Sequence, residues 1–286
     1  MTADSVKIKS TQSDTKVFFR HLARAFGGAI LFSFPILMTM EMWSLGFYMN
    51  GSRLALFTLF TIPMLAGLAY YDAFEPTSRF LDDIVDTFVA YAVGFTTAAV
   101  FLLLFGVIKP EMSADEIIGK VSIQAIIASF GAMLAQSILA ESGYEREASE
   151  KKQREASYFG ELFLMAVGAV FLSMSVAPTE EMTLISFQMT DWHTLALIAV
   201  TLFLMHAFVY AVEFRGREKT NVRGRSFWRG FLRFTVVGYA IALVISFYVL
   251  WTFGSIDDMW FAEKIKAAVV LGFPAAVGAS ASRLIL

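Results

Sequence analysis

Eight apolar stretches, each about twenty residues long, recur along the 286-residue chain with only short polar connections between them. They lie near 26–48, 54–74, 88–108, 121–140, 158–178, 193–214, 232–253 and 267–286. A bilayer core about 30 Å thick is crossed by roughly 20 helical residues, and lipid offers no water to unpaired backbone groups, so each stretch must form a helix. The expected fold is all-α and integral to the membrane, with eight transmembrane helices. The longest connection has about 18 residues, too few to bury a core of its own. The expected organisation is a disordered polar tail at 1–16, a four-helix membrane unit at 17–140, a charged cytoplasmic linker at 141–157 and a second four-helix unit at 158–286.

Composition narrows the chemistry. Charged residues make up 17% of the chain, against about a quarter in soluble proteins. There is no Cys, which excludes disulfides and thiol catalysis. A net charge of −2 gives no reason to expect nucleic acid as a partner. Gly-rich phosphate loops, His-Glu-x-x-His and Gly-x-Ser-x-Gly are all absent from the sequence, so neither an enzyme nor a cofactor is expected.

Positive charge is retained on the cytoplasmic face of a membrane protein. Of the 23 basic residues, 18 fall in the tail, the even-numbered connections and the last helix end. Arg53, Lys109, Lys120, Lys264 and Lys266 make up the opposite set. Both termini are therefore expected in the cytoplasm, and the basic segment 215–233 suits anionic lipid headgroups.

An internal repeat accompanies this pattern. At an offset of 140 residues, Gly28, Ala29, Ser33, Thr39, Glu41 and Met42 meet Gly168, Ala169, Ser173, Thr179, Glu181 and Met182. The fourth helices align at an offset of 143, pairing Ala125, Phe130, Ala132 and Ser137 with Ala268, Phe273, Ala275 and Ser280. Four helices return the chain to the side it started from, so the two units are expected to be parallel, related by an axis along the membrane normal. In this pattern the chain resembles multi-pass bacterial inner-membrane proteins grouped as a domain of unknown function. The resemblance covers the whole chain and implies a bacterial inner-membrane location, but no activity. The stretch 24–41 is also similar to the first helix of lysosome-type and bacterial potassium channels. Those open on Phe-Ser-Asp, whereas here Gly27 and Gly28 follow Phe26, and the motif's polar pair is missing.

Ionisable groups at membrane depth mark functional sites. On a continuous first helix Glu41 would lie about 25 Å along from Arg24, and its repeat partner Glu181 follows Pro178 with Glu180 beside it. These carboxylates, with Thr39 and Thr179 two residues earlier, are the candidate cation pathway. The bland alternative is that each carboxylate reaches the headgroups. Asp82 and Asp86 face repeat positions near Arg229 and Arg233, an arrangement suited to ion pairs between the units or to separate headgroup contacts. Met38, Met40, Met42, Met49 and Met64 share no helical face and are assigned to packing rather than metal. His206 is expected to be a hydrogen-bonded interior residue. Small residues on the fourth and eighth helices, among them Gly131, Ala135, Gly278 and Ser282, permit close packing.

The reading that follows is a channel or secondary transporter for a small cation or a proton, in the bilayer and able to form homo-oligomers. The alternative is a non-transporting scaffold or stress sensor that works through its basic cytoplasmic face. The charge bias is directly testable. A reporter fused after Leu286 should read as cytoplasmic, and single cysteines placed in 141–157 should resist impermeant thiol reagents applied to intact cells; labelling from outside would reverse the orientation.

Overall fold

The structure is a computed structural model and describes residues 3–72, 80–138, 157–216 and 231–285. Among these residues all regular structure is helical. The helices are α1 (Ala3–Leu37), α2 (Met40–Tyr48), α3 (Gly51–Asp72), α4 (Phe80–Leu104), α5 (Ala114–Ile138), α6 (Tyr158–Val176), α7 (Glu180–Gln188), α8 (Asp191–Gly216), α9 (Val237–Phe253) and α10 (Phe261–Ile285). A π-helical turn, Phe231–Val236, runs into α9. Of the described helices, seven are long and apolar enough to span a bilayer, and there is an eighth span if α1 and α2 count as one bent crossing. The linker expected at 141–157 lies outside the described residues, apart from Ser157, whose side chain accepts from the Gly160 N–H at 3.2 Å to cap α6. The tail expected at 1–16 is taken into α1 from Ala3 onward, and it holds neither Pro nor Gly to stop the helix.

The first span departs from expectation. Instead of one helix over 26–48, the chain bends by 86° between α1 and α2. The elbow survives because its polar groups are served locally. Thr39 turns extended, at φ −93° and ψ 132°. Its N–H and Oγ1 both donate to the Ile36 carbonyl, at 3.0 and 2.8 Å, and the Trp43 Nε1 donates to the Leu37 carbonyl at 2.7 Å. Carbonyls that a continuing helix would have satisfied thus find other donors. The same device ends α6 at Val176, before Pro178: Thr179 is extended, and its N–H and Oγ1 donate to the Val176 carbonyl at 3.1 and 2.9 Å. Hydropathy does not register the first break, because the apolar stretch continues past it to Tyr48, whereas the second falls where the apolar stretch itself ends, at Pro178.

Helix starts also fall earlier than the apolar stretches suggest. Asp115 and Glu116 open α5, and Glu263 opens α10. Acidic residues in a first turn interact favourably with the helix dipole, so they extend the helix.

The two halves are packed alike. In each, the last helix (α5 or α10) touches the first, second and third long helices and the short transverse one. Glycines set the spacing. A Cβ at Gly28 would overlap Ala135 and the Gly131 carbonyl, and one at Gly168 would overlap the Gly278 carbonyl. The expected small faces of α5 and α10 are therefore used as close contacts. The third long helix of each half also ends in the same way. Gly106 and Gly254 adopt positive φ of 67° and 76°, with Val107 N–H donating to the Leu102 carbonyl at 2.9 Å and Ser255 N–H to Leu250 at 3.0 Å.

Across the halves, α3 meets α9. Phe60 lies 4.8 Å from Tyr248 between ring centroids, and Arg53 bonds Asp257 at 2.7 Å and the Trp251 carbonyl at 2.8 Å. Phe32 and Phe171 pack edge to face at 5.7 Å. The helices differ greatly in enclosure: 83% of the residues in the apolar window of α5 are buried, against 11% in α8.

Neighbouring glycines in α1 give a clean test of the α1–α5 contact. Gly27 has no atom within 4 Å of where a Cβ would sit, whereas Gly28 has none to spare. Gly28→Ala should lower stability by about 1–3 kcal/mol through overpacking, while Gly27→Ala should be neutral or raise it by up to about 1 kcal/mol through helix propensity. Unfolding of the purified protein in mixed micelles measures both.

Candidate functional site

The carboxylates singled out in the sequence lie on the short transverse helices. Glu41 occupies the first turn of α2 and is half-buried; Glu180 and Glu181 occupy the first turn of α7 and are exposed. The depth expected for Glu41 assumed an unbroken helix, and the elbow removes that assumption. Thr39 and Thr179 are the N-cap residues of these helices, and their hydroxyls are spent on the carbonyls of Ile36 and Val176. Met42 and Met64 are buried in the main apolar cluster, as packing residues should be.

At the other end of the bundle, where α1 and α4 begin, Arg233 lies over the Tyr158 ring at 4.3 Å, and the Tyr158 hydroxyl donates to the Arg233 carbonyl at 2.9 Å. Among the described residues Arg233 forms no ion pair with Asp82 or Asp86. Arg229 and the segment 217–230 lie outside the described residues. His206 Nδ1 is 3.1 Å from the Thr235 hydroxyl, the interior hydrogen bond expected of it.

The most polar interior belongs to α5. Lys120 is 7% exposed and pairs with Glu116, one turn earlier, at 2.8 Å. The pair sits beneath α2: a Cβ at Gly46 would stand 2.5 Å from the Lys120 Cα, so only glycine lets α2 cross there. Beside it, α2, α3 and the start of α5 line an open cavity of about 770 Å³, with Phe47, Leu54 and Ile62 as apolar wall and Thr58, Glu116 and Ser122 as polar lining. Gln124 follows one turn beyond Lys120. It is 1% exposed, and neither atom of its amide has a hydrogen-bond partner. Further along, the Ser129 hydroxyl donates to the Ala125 carbonyl at 2.6 Å, and Gln136 Nε2 donates to the His21 carbonyl at 3.1 Å. His21, Arg24 and Asp83 are buried around that end.

Helix α10 has the same place in its half, but beyond its first turn it lacks the polar groups at the corresponding positions. At the offset of the fourth helices, Lys120, Gln124, Ser129 and Gln136 correspond to Glu263, Ala267, Gly272 and Ala279. Glu263 is not a buried partner but a cap, its Oε2 accepting the Trp260 N–H at 3.0 Å. The α5 set was missed in the sequence because the apolar stretch was started at Val121, which left Glu116 and Lys120 in a connection. The signal was present: Glu116 and Lys120 stand four apart, and Ser122, Ser129 and Gln136 recur every seven residues, which places each set along one helical side.

On the face that carries α2 and α7, Arg53, Lys120 and Lys266 are paired with Asp257, Glu116 and Asp191. Glu41, Glu111, Asp115, Glu180, Glu181, Asp258 and Glu263 share that face with Lys109 and Lys264, so its charge is acidic in excess. No group of three or more His, Cys, Asp or Glu suited to a metal ion occurs among the described residues.

Comparison with curated proteins and with solved structures finds no match. Residues 21–286 match the family described as "Putative integral membrane protein (DUF2391)", and with nearly the whole chain matched, this protein belongs to that family of integral membrane proteins.

Proposed function

We propose that this integral membrane protein is a channel or secondary transporter for a small cation or a proton, with its path running along α5. One observation carries the reading: the most enclosed of the described helices holds a buried lysine paired with Glu116 and an unpartnered glutamine, while its counterpart α10 has Ala267, Gly272 and Ala279 at the levels of Gln124, Ser129 and Gln136. Ionisable and polar side chains cost several kcal/mol in a bilayer interior unless paired or hydrated, which favours a functional reason for concentrating them on one helix. The cavity between α2, α3 and α5 is the mouth of the path, and the acidic excess around it raises the local concentration of cations. Glu41, Glu181 and Glu180 act there as attracting charges, with Thr39 and Thr179 holding the helix starts that carry them.

In this proposal the protein consists of two parallel four-helix units, with both termini cytoplasmic and the mouth facing outward from a bacterial inner membrane. Support comes from the two Thr-capped breaks, the two Gly-capped ends and the like packing of α5 and α10. It acts as a transport protein rather than an enzyme, with anionic headgroups against its cytoplasmic face, and it can pair as a homo-oligomer.

The purified protein in liposomes, loaded with K⁺, Na⁺ or a pH gradient, tests the reading. Glu116→Gln alone would strand a buried ammonium and destabilise the fold by about 3–5 kcal/mol. The double variant Glu116→Gln/Lys120→Met removes the pair together and should fold while flux falls at least about tenfold. Glu41→Gln/Glu181→Gln should lower flux a few-fold at low salt and less at high salt, since exposed charges are screened. A wild-type protein that carries none of these ions would remove the transport reading in favour of a scaffold acting through its basic face.

A further inference from the structure

We propose that the elbow between α1 and α2, closed by Gln124, is a dehydrated binding site for a small monovalent cation. Its role in flux rests on the transport reading, whereas the existence of the site does not. The placement follows from contacts on either side. Lys120, Gln124, Gly131 and Ala135 lie on one side of α5 by their spacing. Of these, Lys120 lies against Gly46 of α2, and Gly131 and Ala135 lie against Gly28 of α1. Gln124 falls between them, and the stretch of chain between Gly28 and Gly46 is the elbow. The apolar clusters agree: Ile36 and Ile123 belong to one and Leu37 and Ala125 to the other, so Gln124 stands at the seam where α1 ends.

Chemistry then selects the occupant. The carboxy-terminal end of a helix carries about half a negative charge, and the last carbonyls of α1 face the break. The Ile36 carbonyl already accepts both the N–H and the hydroxyl of Thr39, whereas the Leu37 carbonyl accepts only the Trp43 Nε1 and keeps a second lone pair for a ligand contact. Gln124 adds a neutral amide oxygen with no other partner, at 1% exposure. Ten residues into α5, it lies about 15 Å from that helix's start. From Val121 to Phe130, α5 has no acidic residue. Divalent cations call for carboxylates, whereas amide and backbone carbonyl oxygens replace the hydration shell of a monovalent ion. An amide takes up no proton in the physiological range, so the site favours a metal cation over a proton. The second elbow ends in the same Thr-capped break but has Ala267 at the corresponding place, which gives one site per chain.

Thermal unfolding of the purified full-length protein in detergent, in KCl, NaCl or N-methylglucamine chloride at equal ionic strength, reads the site without reference to transport. The wild type should melt higher in K⁺ or Na⁺ than in the bulky cation. Gln124→Leu should abolish that difference while melting at least as high as the wild type in N-methylglucamine, because it removes two unpartnered polar atoms. Gln124→Asn should keep part of the difference, and Gln124→Met serves in place of the leucine variant if that one does not fold. A wild type indifferent to the cation, or a leucine variant with the full difference, overturns the site. In liposomes Gln124→Leu should also cut K⁺ or Na⁺ flux about tenfold, the factor set by losing roughly one good ligand. A cation shift that depends on Gln124 in a protein without flux would sink transport and leave the site. Flux sensitive to the Glu116/Lys120 pair but not to Gln124, with an unaltered melting difference, would sink the site and leave transport.

Discussion

Every backbone amide and carbonyl at membrane depth must find its partner inside the protein, and the architecture of this chain follows from how it meets that demand where helices stop. Two of its helices end within the apolar stretches that contain them. At each, a threonine turns extended and returns both its N–H and its hydroxyl to a carbonyl three residues back. Without that closure, the transverse helices α2 and α7 would leave the ends of α1 and α6 unsatisfied. With it, α2 lies across α5, covers the Lys120–Glu116 pair and forms one wall of the cavity.

Close packing supplies the second condition. Where Gly28 meets Gly131 and Gly168 meets Gly278, backbones approach to distances at which a methyl group has no room. Apolar side chains gain nothing by leaving lipid for protein, so contact area and close approach carry helix association. These contacts hold α5 and α10 at the centres of their halves and leave α8 largely at the periphery. Polar residues along α5 therefore become buried in protein, while on α8 the polar residues Thr201 and His206 are taken inward only on its one packed side.

The sequence made the membrane class and the close faces of α5 and α10 legible, since these depend on composition and on spacing along one helix. It gave a poorer account of the site. Glu41 looked deep only because a straight helix was drawn through Thr39, and Lys120 looked peripheral only because Asp115, Glu116 and Lys120 were taken to mark a connection. Both errors come from reading hydropathy as geometry. A polar residue in a first turn prolongs a helix through its dipole, and an apolar residue after a threonine does not oblige the helix to continue.

What the sequence by itself determined is local: which segments are apolar enough to cross lipid, where glycines permit contact, and where Thr39 and Thr179 recur in equivalent settings. Which polar groups end up together was decided by the tertiary structure. Gln124 is one amide in an apolar stretch until α1 bends away at Leu37 and α2 closes over Lys120; only in the packed bundle is it buried with no partner for either of its amide atoms. The physical reason is that burial and hydrogen-bond satisfaction belong to the packed neighbours of a residue, which here come from α1 and α2, distant segments of the chain.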